Sequence, residues 1–79
     1  MNLVEMTEYL VKSLVSNKDS VTVKEFPSEN ENEIIIEVLV DETDMGKVIG
    51  KQGRIAKAIR TVVKAASFKD NTRVDVEIV

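Results

Sequence analysis

The stretch VIGKQGRIAKAIR, residues 48–60, contains two of the chain's three glycines, Gly50 and Gly53, with a lysine and a glutamine between them. Apolar residues precede Gly50, and apolar residues at helical spacing follow Gly53, so we predict a helix on each side of the tetrapeptide. Glycine permits a positive φ and lets another backbone approach closely, because it has no Cβ. The tetrapeptide therefore predicts a tight loop between two helices.

Apolar residues recur at helical spacing in two longer segments. Near the N-terminus, Leu3, Met6, Leu10 and Leu14 predict a first helix that ends in the polar run SNKDS. Either Thr43 or Asp44 can cap the short helix that reaches Ile49. A last helix is predicted from Arg54 to about Phe68, with one stripe assigned to the core: Ile55, Ile59, Val62, Val63 and Ala66.

Three segments are typical of β-strands. Val21 and Val23 alternate with polar residues up to Pro27, and the polar loop SENENE follows. The next strand, residues 33–41, has apolar residues on both faces, which indicates a central strand. Alternation over residues 73–78 predicts a third strand.

These elements follow one another in the order α-β-β-α-α-β. The short loop between the first two strands predicts an antiparallel hairpin, and the crossover through two helices predicts a third strand parallel to the central one. We therefore expect a single α+β domain over residues 1–79, with a three-stranded mixed sheet and all helices on one face.

Composition excludes several classes of function. The chain has 79 residues, no cysteine and no histidine, which removes disulfides, thiolate and imidazole metal sites, and the usual general base. We expect no enzymatic activity, cofactor or metal. The N-terminal segment does not have the pattern of a signal peptide. No apolar run in the sequence is long enough for a membrane span, and we expect a soluble, cytoplasmic protein.

The charge is distributed unevenly along the chain. The formal net charge is −3, but no acidic residue lies between Asp44 and Asp70. That interval contains seven basic residues: Lys47, Lys51, Arg54, Lys57, Arg60, Lys64 and Lys69. An acidic total is compatible with such a local cationic zone.

The loop and the cationic zone together favour an anionic ligand. The free N–H groups and the positive dipole end of the helix that begins at Arg54 point at whatever binds on the loop, and Lys51 and Arg54 add full charges. A phosphodiester backbone suits this arrangement, because it is anionic and slender. Lys57, Arg60 and Lys64 are secondary candidates, since a charged stripe is also what a solvated helix face shows.

Within this order of elements, VIGKQGRIAKAIR resembles the GXXG motif of KH domains, in the bacterial type II arrangement, and the chain is similar in size to the small single-KH proteins of the KhpA family. The resemblance implies a non-catalytic protein that binds single-stranded RNA, as a chaperone or regulator of bacterial transcripts. It implies that the sugar-phosphate backbone is held by Gly50, Lys51, Gln52 and Gly53. It also implies an apolar groove shaped by Val48, Ile49 and Ile59, with the central strand as the other wall.

Other interpretations stay open on the sequence alone. The glycines could merely turn the chain between two helices. An enzyme acting on nucleic acid is a further alternative, but the chain offers no nucleophile–base pair and no cluster of metal-binding acids near the loop. A P-loop is excluded by spacing, because Gly46 and Gly50 are separated by three residues and Gln52 follows Lys51.

The main alternative is a protein-interaction adaptor that dimerises. Phe68 falls outside the apolar stripe of the last helix, so either the helix ends before it or its ring is exposed, and an exposed aromatic favours a partner. We therefore expect the last helix to form a homodimer, or a heterodimer with another KH protein, because the resemblance implies pairing with KhpB, also called Jag.

Overall fold

The computed structural model describes residues 1–79 and shows six main elements in the predicted order. They are α1 (Leu3–Lys12), β1 (Thr22–Pro27), β2 (Glu33–Leu39), α2 (Met45–Ile49), α3 (Arg54–Ser67) and β3 (Arg73–Ile78). Short 3-10 turns connect them at Lys18–Ser20, Glu42–Asp44, Lys51–Gly53 and Phe68–Asp70. Even α3, the longest helix with 14 residues, falls short of the length and apolar character of a membrane span.

The three strands form one mixed sheet in the order β1-β2-β3. β1 and β2 are antiparallel, with Val23 opposite Val38, and β2 and β3 are parallel, with Ile36 opposite Val76. The loop at residues 28–32 joins the antiparallel pair, whereas the crossover through α2 and α3 brings the chain back to begin β3 at the same end as β2. The predicted fold class and the central position of β2 are both confirmed.

Reciprocal hydrogen bonds fix the N-terminus of α1. Asn2 Oδ1 accepts from the Glu5 N–H at 2.8 Å, and the Asn2 N–H donates to Glu5 Oε1 at 3.3 Å. This pairing satisfies two N–H groups that a helix start leaves open. The helix ends at Lys12, before the apolar pattern does. The Ser13 N–H still donates to the Tyr9 carbonyl at 3.1 Å, but the Leu14 N–H donates to the Val11 carbonyl at 3.0 Å, which is the tighter i→i−3 bond of a closing turn.

The core lies between the sheet and the helices. Its buried residues are Val11, Val15, Ile36, Val38, Val48, Ile59, Val63, Val74 and Val76. Val63 is 0% exposed, but its neighbour Val62 is 47% exposed, so the prediction that Val62 belongs to the core is wrong. Successive helix residues point about 100° apart. When Val63 faces the core, Val62 therefore lies on the side of α3 next to α1, and α1 covers this side only in part.

Candidate nucleic-acid interface

Gly50 follows α2 in a conformation that other residues avoid. Its φ of 76° and ψ of 175° lie in a region that is essentially restricted to glycine. A Cβ at this position would also lie 2.6 Å from Cγ1 of Ile55, in the first turn of α3, whereas two carbon atoms normally stay about 3.5 Å or more apart. Glycine is required here because the loop packs directly against the helix that follows.

Gln52 and Gly53 complete the turn in the left-handed region. Gln52 has φ 59° and ψ 24°, and Gly53 has φ 75° and ψ 13°. Holding a glutamine in this region costs roughly 1–2 kcal/mol, and such strain persists only where the surrounding structure imposes it. A Cβ on Gly53 would meet nothing within 4 Å. The backbone at Gly53 is therefore open to a ligand.

The loop faces solvent at the N-terminus of α3. Lys51 and Gln52 are exposed, and Arg54 Nη2 donates to Gln52 Oε1 at 3.2 Å. The Arg54 N–H donates to the Lys51 carbonyl, but no side chain caps α3, so the N–H groups that follow Arg54 in its first turn have no side-chain partner at the positive end of the helix dipole. The predicted loop, with backbone donors and cations at a helix junction, is present in the structure.

The cations around this loop have no carboxylate partners. The protein contains two ion pairs, Lys12 with Glu8 and Lys47 with Asp44, each at 3.3 Å. Lys51, Arg54 and Lys57 are exposed and belong to neither pair. Their charge is consequently available to an anionic ligand.

The residues expected to shape an apolar groove are divided between surface and core. Ile49, next to Gly50, is 38% exposed, whereas Val48 and Ile59 are 0% and 5% exposed. Val48 and Ile59 pack in the core. Of these three side chains, only Ile49 therefore offers a substantial apolar surface beside the loop.

Two of the predicted cationic residues are bound within the protein. Lys47 Nζ donates to Ser16 Oγ at 2.6 Å, in addition to its ion pair. Arg60 Nε donates to the Val76 carbonyl at 3.0 Å. β2 is paired on both edges, so β3 is the strand beside α3 that has a free edge. Arg60 covers part of that edge.

Asp44 anchors the start of α2 to the segment after α1. Its side chain is 1% exposed, Oδ1 accepts the Ser16 N–H at 3.1 Å, and Oδ2 accepts the Asn17 N–H at 2.9 Å. The prediction that Thr43 or Asp44 caps this helix is wrong, because no side chain bonds to the first turn of α2. The Asp44 carboxylate instead satisfies donors from a distant part of the chain.

These contacts tie the start of α2, the helix that leads into the loop, to the segment after α1. The Asn17 and Ser16 N–H donors, and to a smaller extent Lys47, lower the pKa of the Asp44 carboxyl below its ordinary value. An aspartate just before a helix is the sequence signature of a cap. The actual donors lie 27 and 28 residues away, where no local pattern could indicate them.

A model of the KH domain shared by KhpA and KhpB matches residues 4–78. The chain belongs to the KhpA/KhpB family of KH domains. The family is non-catalytic, as predicted. Both the KH fold and the suspected family are thereby confirmed.

Relatives in this family match the chain over nearly its whole length. It is 57% identical over 75 residues to the RNA-binding protein KhpA of Clostridium perfringens, covering 95% of this chain and 97% of that protein. It is 46% identical over 77 residues to the RNA-binding protein KhpA of Borreliella burgdorferi, covering 98% and 92%.

Solved structures of Era share the fold. A variant of Aquifex aeolicus Era bound to GDP·AlF4− superposes with a TM-score of 0.66 at 23% identity, over 96% of this chain and 29% of the Era chain. Era in complex with MgGDPNP and nucleotides 1506–1542 of 16S ribosomal RNA gives a TM-score of 0.66 at 24% identity, over 96% and 28%. At this identity the likeness shows the type II KH fold alone.

Proposed function

We propose that this chain binds single-stranded RNA by its sugar-phosphate backbone at the loop Gly50–Gly53. The observation that carries the proposal is the solvent-exposed glycine-built turn at the uncapped N-terminus of α3. Cations without carboxylate partners surround that turn. The RNA-binding KhpA relatives support RNA as the ligand.

Each part of the loop has a separate task in this proposal. The open backbone at Gly53 lets a phosphate approach, and N–H groups of the first turn of α3 donate to its oxygens. Lys51 and Arg54 add attraction that is independent of base identity. The exposed part of Ile49 provides an apolar contact for a base edge.

Binding through the backbone reads little sequence, so the protein acts on many transcripts. We assign it the role of an RNA chaperone or post-transcriptional regulator in the bacterial cytoplasm, where its ligand is made. The bacterial origin of the matched KhpA proteins supports this setting.

The affinity for RNA should depend on salt. If about three phosphates are neutralised, by Lys51, Arg54 and Lys57, the logarithm of the affinity should fall with the logarithm of salt concentration at a slope near −2 for a single strand. Fluorescence anisotropy with a labelled RNA 12-mer of random sequence, between about 50 and 200 mM salt, measures this slope. A flat response contradicts phosphate binding.

A second candidate function, an adaptor that dimerises, is favoured by an apolar groove between α1 and α3. This α1/α3 groove has a volume of about 360 Å³ and is lined mainly by Leu10, Leu14, Ile55, Ala58, Ile59 and Val62. Leu14 and Val62 are 36% and 47% exposed. A second copy of this chain is the proposed occupant. In a two-fold symmetric dimer, the apolar flank of α3 in one copy packs against the same flank in the other copy.

Analytical ultracentrifugation at tens of micromolar tests this dimer, since weak dimers with micromolar dissociation constants are visible there. We expect a dimer for the native chain and a monomer for Val62→Glu, which places a charge in the groove. Thr61→Glu is the matched control on the same helix and should remain dimeric. A purely monomeric native chain contradicts the homodimer, and binding to a KH domain of KhpB would then identify a heterodimer.

A further inference from the structure

Phe68 is an aromatic residue that the fold leaves uncovered. It directly follows α3 with helical dihedral angles, φ −61° and ψ −30°, and it is 77% exposed. Both alternatives from the sequence hold, because the helix ends before Phe68 and the ring is exposed. Phe68 does not line the α1/α3 groove, so that groove does not explain its exposure.

Phe68 continues a cationic flank of α3. Lys57, Arg60, Lys64 and Phe68 follow one another at spacings of three and four residues, which places them on one side of the helix. The bond from Arg60 Nε to the Val76 carbonyl shows that this side faces the free edge of β3. At about 1.5 Å per residue, the flank extends roughly 21 Å from Arg54 to Phe68.

A cleft of about 390 Å³ lies beside Phe68. Lys64 and Phe68 line it from the helix end, Arg73 and Asp75 from β3, and Glu33 from the start of β2. The cleft thus combines an exposed aromatic ring, two cations and two carboxylates.

Glu33 is held in place as a hydrogen-bond acceptor. Ser28 Oγ and Asn30 Nδ2 donate to Glu33 Oε1 at 2.8 and 3.3 Å. These two bonds, together with the charge of Arg73, lower the pKa of Glu33. The carboxylate therefore stays ionised and repels a phosphate, but it accepts hydrogen bonds from amino groups.

We propose that this cleft binds a nucleotide of the same single strand beyond those held at Gly50–Gly53, with its base stacked on the Phe68 ring. The proposal rests on the proposed function of the loop. Aromatic side chains stack any base, because every base has a π-face. The cations at Lys64 and Arg73 suit the phosphate, and Glu33 and Asp75 suit the amino groups of a base.

The length of the RNA distinguishes binding at this cleft from binding at the loop. At roughly 3.4 Å per stacked nucleotide, about six nucleotides span the flank, so an RNA 4-mer bound at the loop does not reach Phe68 and a 12-mer does. Phe68→Ala should weaken binding of a labelled random-sequence 12-mer by roughly 5- to 100-fold, the range for a lost base stack. Binding of the 4-mer should not change, and Phe68→Trp should retain the affinity for the 12-mer.

Two further variants sharpen the measurement. Tyr9→Ala removes another exposed aromatic ring, 65% exposed on α1, and should leave both affinities unchanged. Lys64→Gln should make the salt slope of the 12-mer shallower by about 0.7, the value for one phosphate on a single strand, without changing the slope of the 4-mer.

The outcomes distinguish the two proposals. If the loop variant with Lys51→Asp and Gln52→Asp weakens both lengths while Phe68→Ala leaves the 12-mer unchanged, the Phe68 site is overturned and the loop function stands. If Phe68→Ala weakens both lengths equally, it acts through the fold or the loop, and the site is again overturned. If the loop variant changes neither length, the proposed function itself fails.

Discussion

Replacing Lys51 and Gln52 together by aspartate is expected to lower the affinity for single-stranded RNA about 100-fold, without changing the circular dichroism spectrum. Each new carboxylate near a phosphate costs roughly 1 kcal/mol in water and about 4 kcal/mol near a protein surface at 4 Å, and a loss of about 3 kcal/mol corresponds to roughly 100-fold. Both side chains are exposed, so the fold does not depend on them. Anisotropy with the random-sequence 12-mer measures the loss.

The control for this double variant places the same charges elsewhere. Thr22 and Lys24 are exposed on β1, on the opposite side of the sheet's central strand from β3. Replacing both by aspartate gives the same change in net charge and should lower the RNA affinity much less. An unaltered affinity in the loop variant contradicts backbone binding by the loop and favours the dimerising adaptor.

Replacing Asp44 by alanine is expected to cause the largest loss of stability. The change removes the buried carboxylate that accepts two backbone N–H groups, those of Ser16 and Asn17, and leaves these partly buried donors without a protein partner. In a domain of this size we expect the melting temperature to fall by roughly 10 °C or more. Thermal unfolding followed by circular dichroism measures the change, and Asp19→Ala, at an exposed residue, should shift it by only about 2 °C.

The contribution of Asp44 should also depend on pH. Because the pKa of Asp44 is lowered in the folded state, its carboxylate stabilises the fold fully above the unfolded pKa and progressively less as the pH falls through the folded pKa. The difference in urea midpoint between the native chain and Asp44→Asn should therefore shrink as the pH is lowered from about 6 toward 2. A difference that stays constant over this range contradicts the assigned role of the carboxylate.

The local order of the chain could be predicted from the sequence because local patterns determine it. Alternation over residues 73–78 predicted β3 with the observed bounds, Arg73–Ile78. The spacing after Gly53 predicted α3, which ends at Ser67. Positive φ at Gly50 and Gly53 follows from the same logic, since a two-residue reversal between helices requires backbone conformations that glycine adopts without strain.

The side-chain environment was decided by contacts between distant segments. Val62 and Val63 are adjacent residues of the same type. In the structure, α3 turns Val63 toward the sheet and Val62 toward the partly open α1/α3 groove. Arg60 belongs to the cationic stripe, yet it bonds to the edge of β3, and Asp44 bonds to the segment after α1. Periodicity specifies the direction in which a side chain points from its own helix or strand. Only the packing of that element against the others specifies what the side chain meets there.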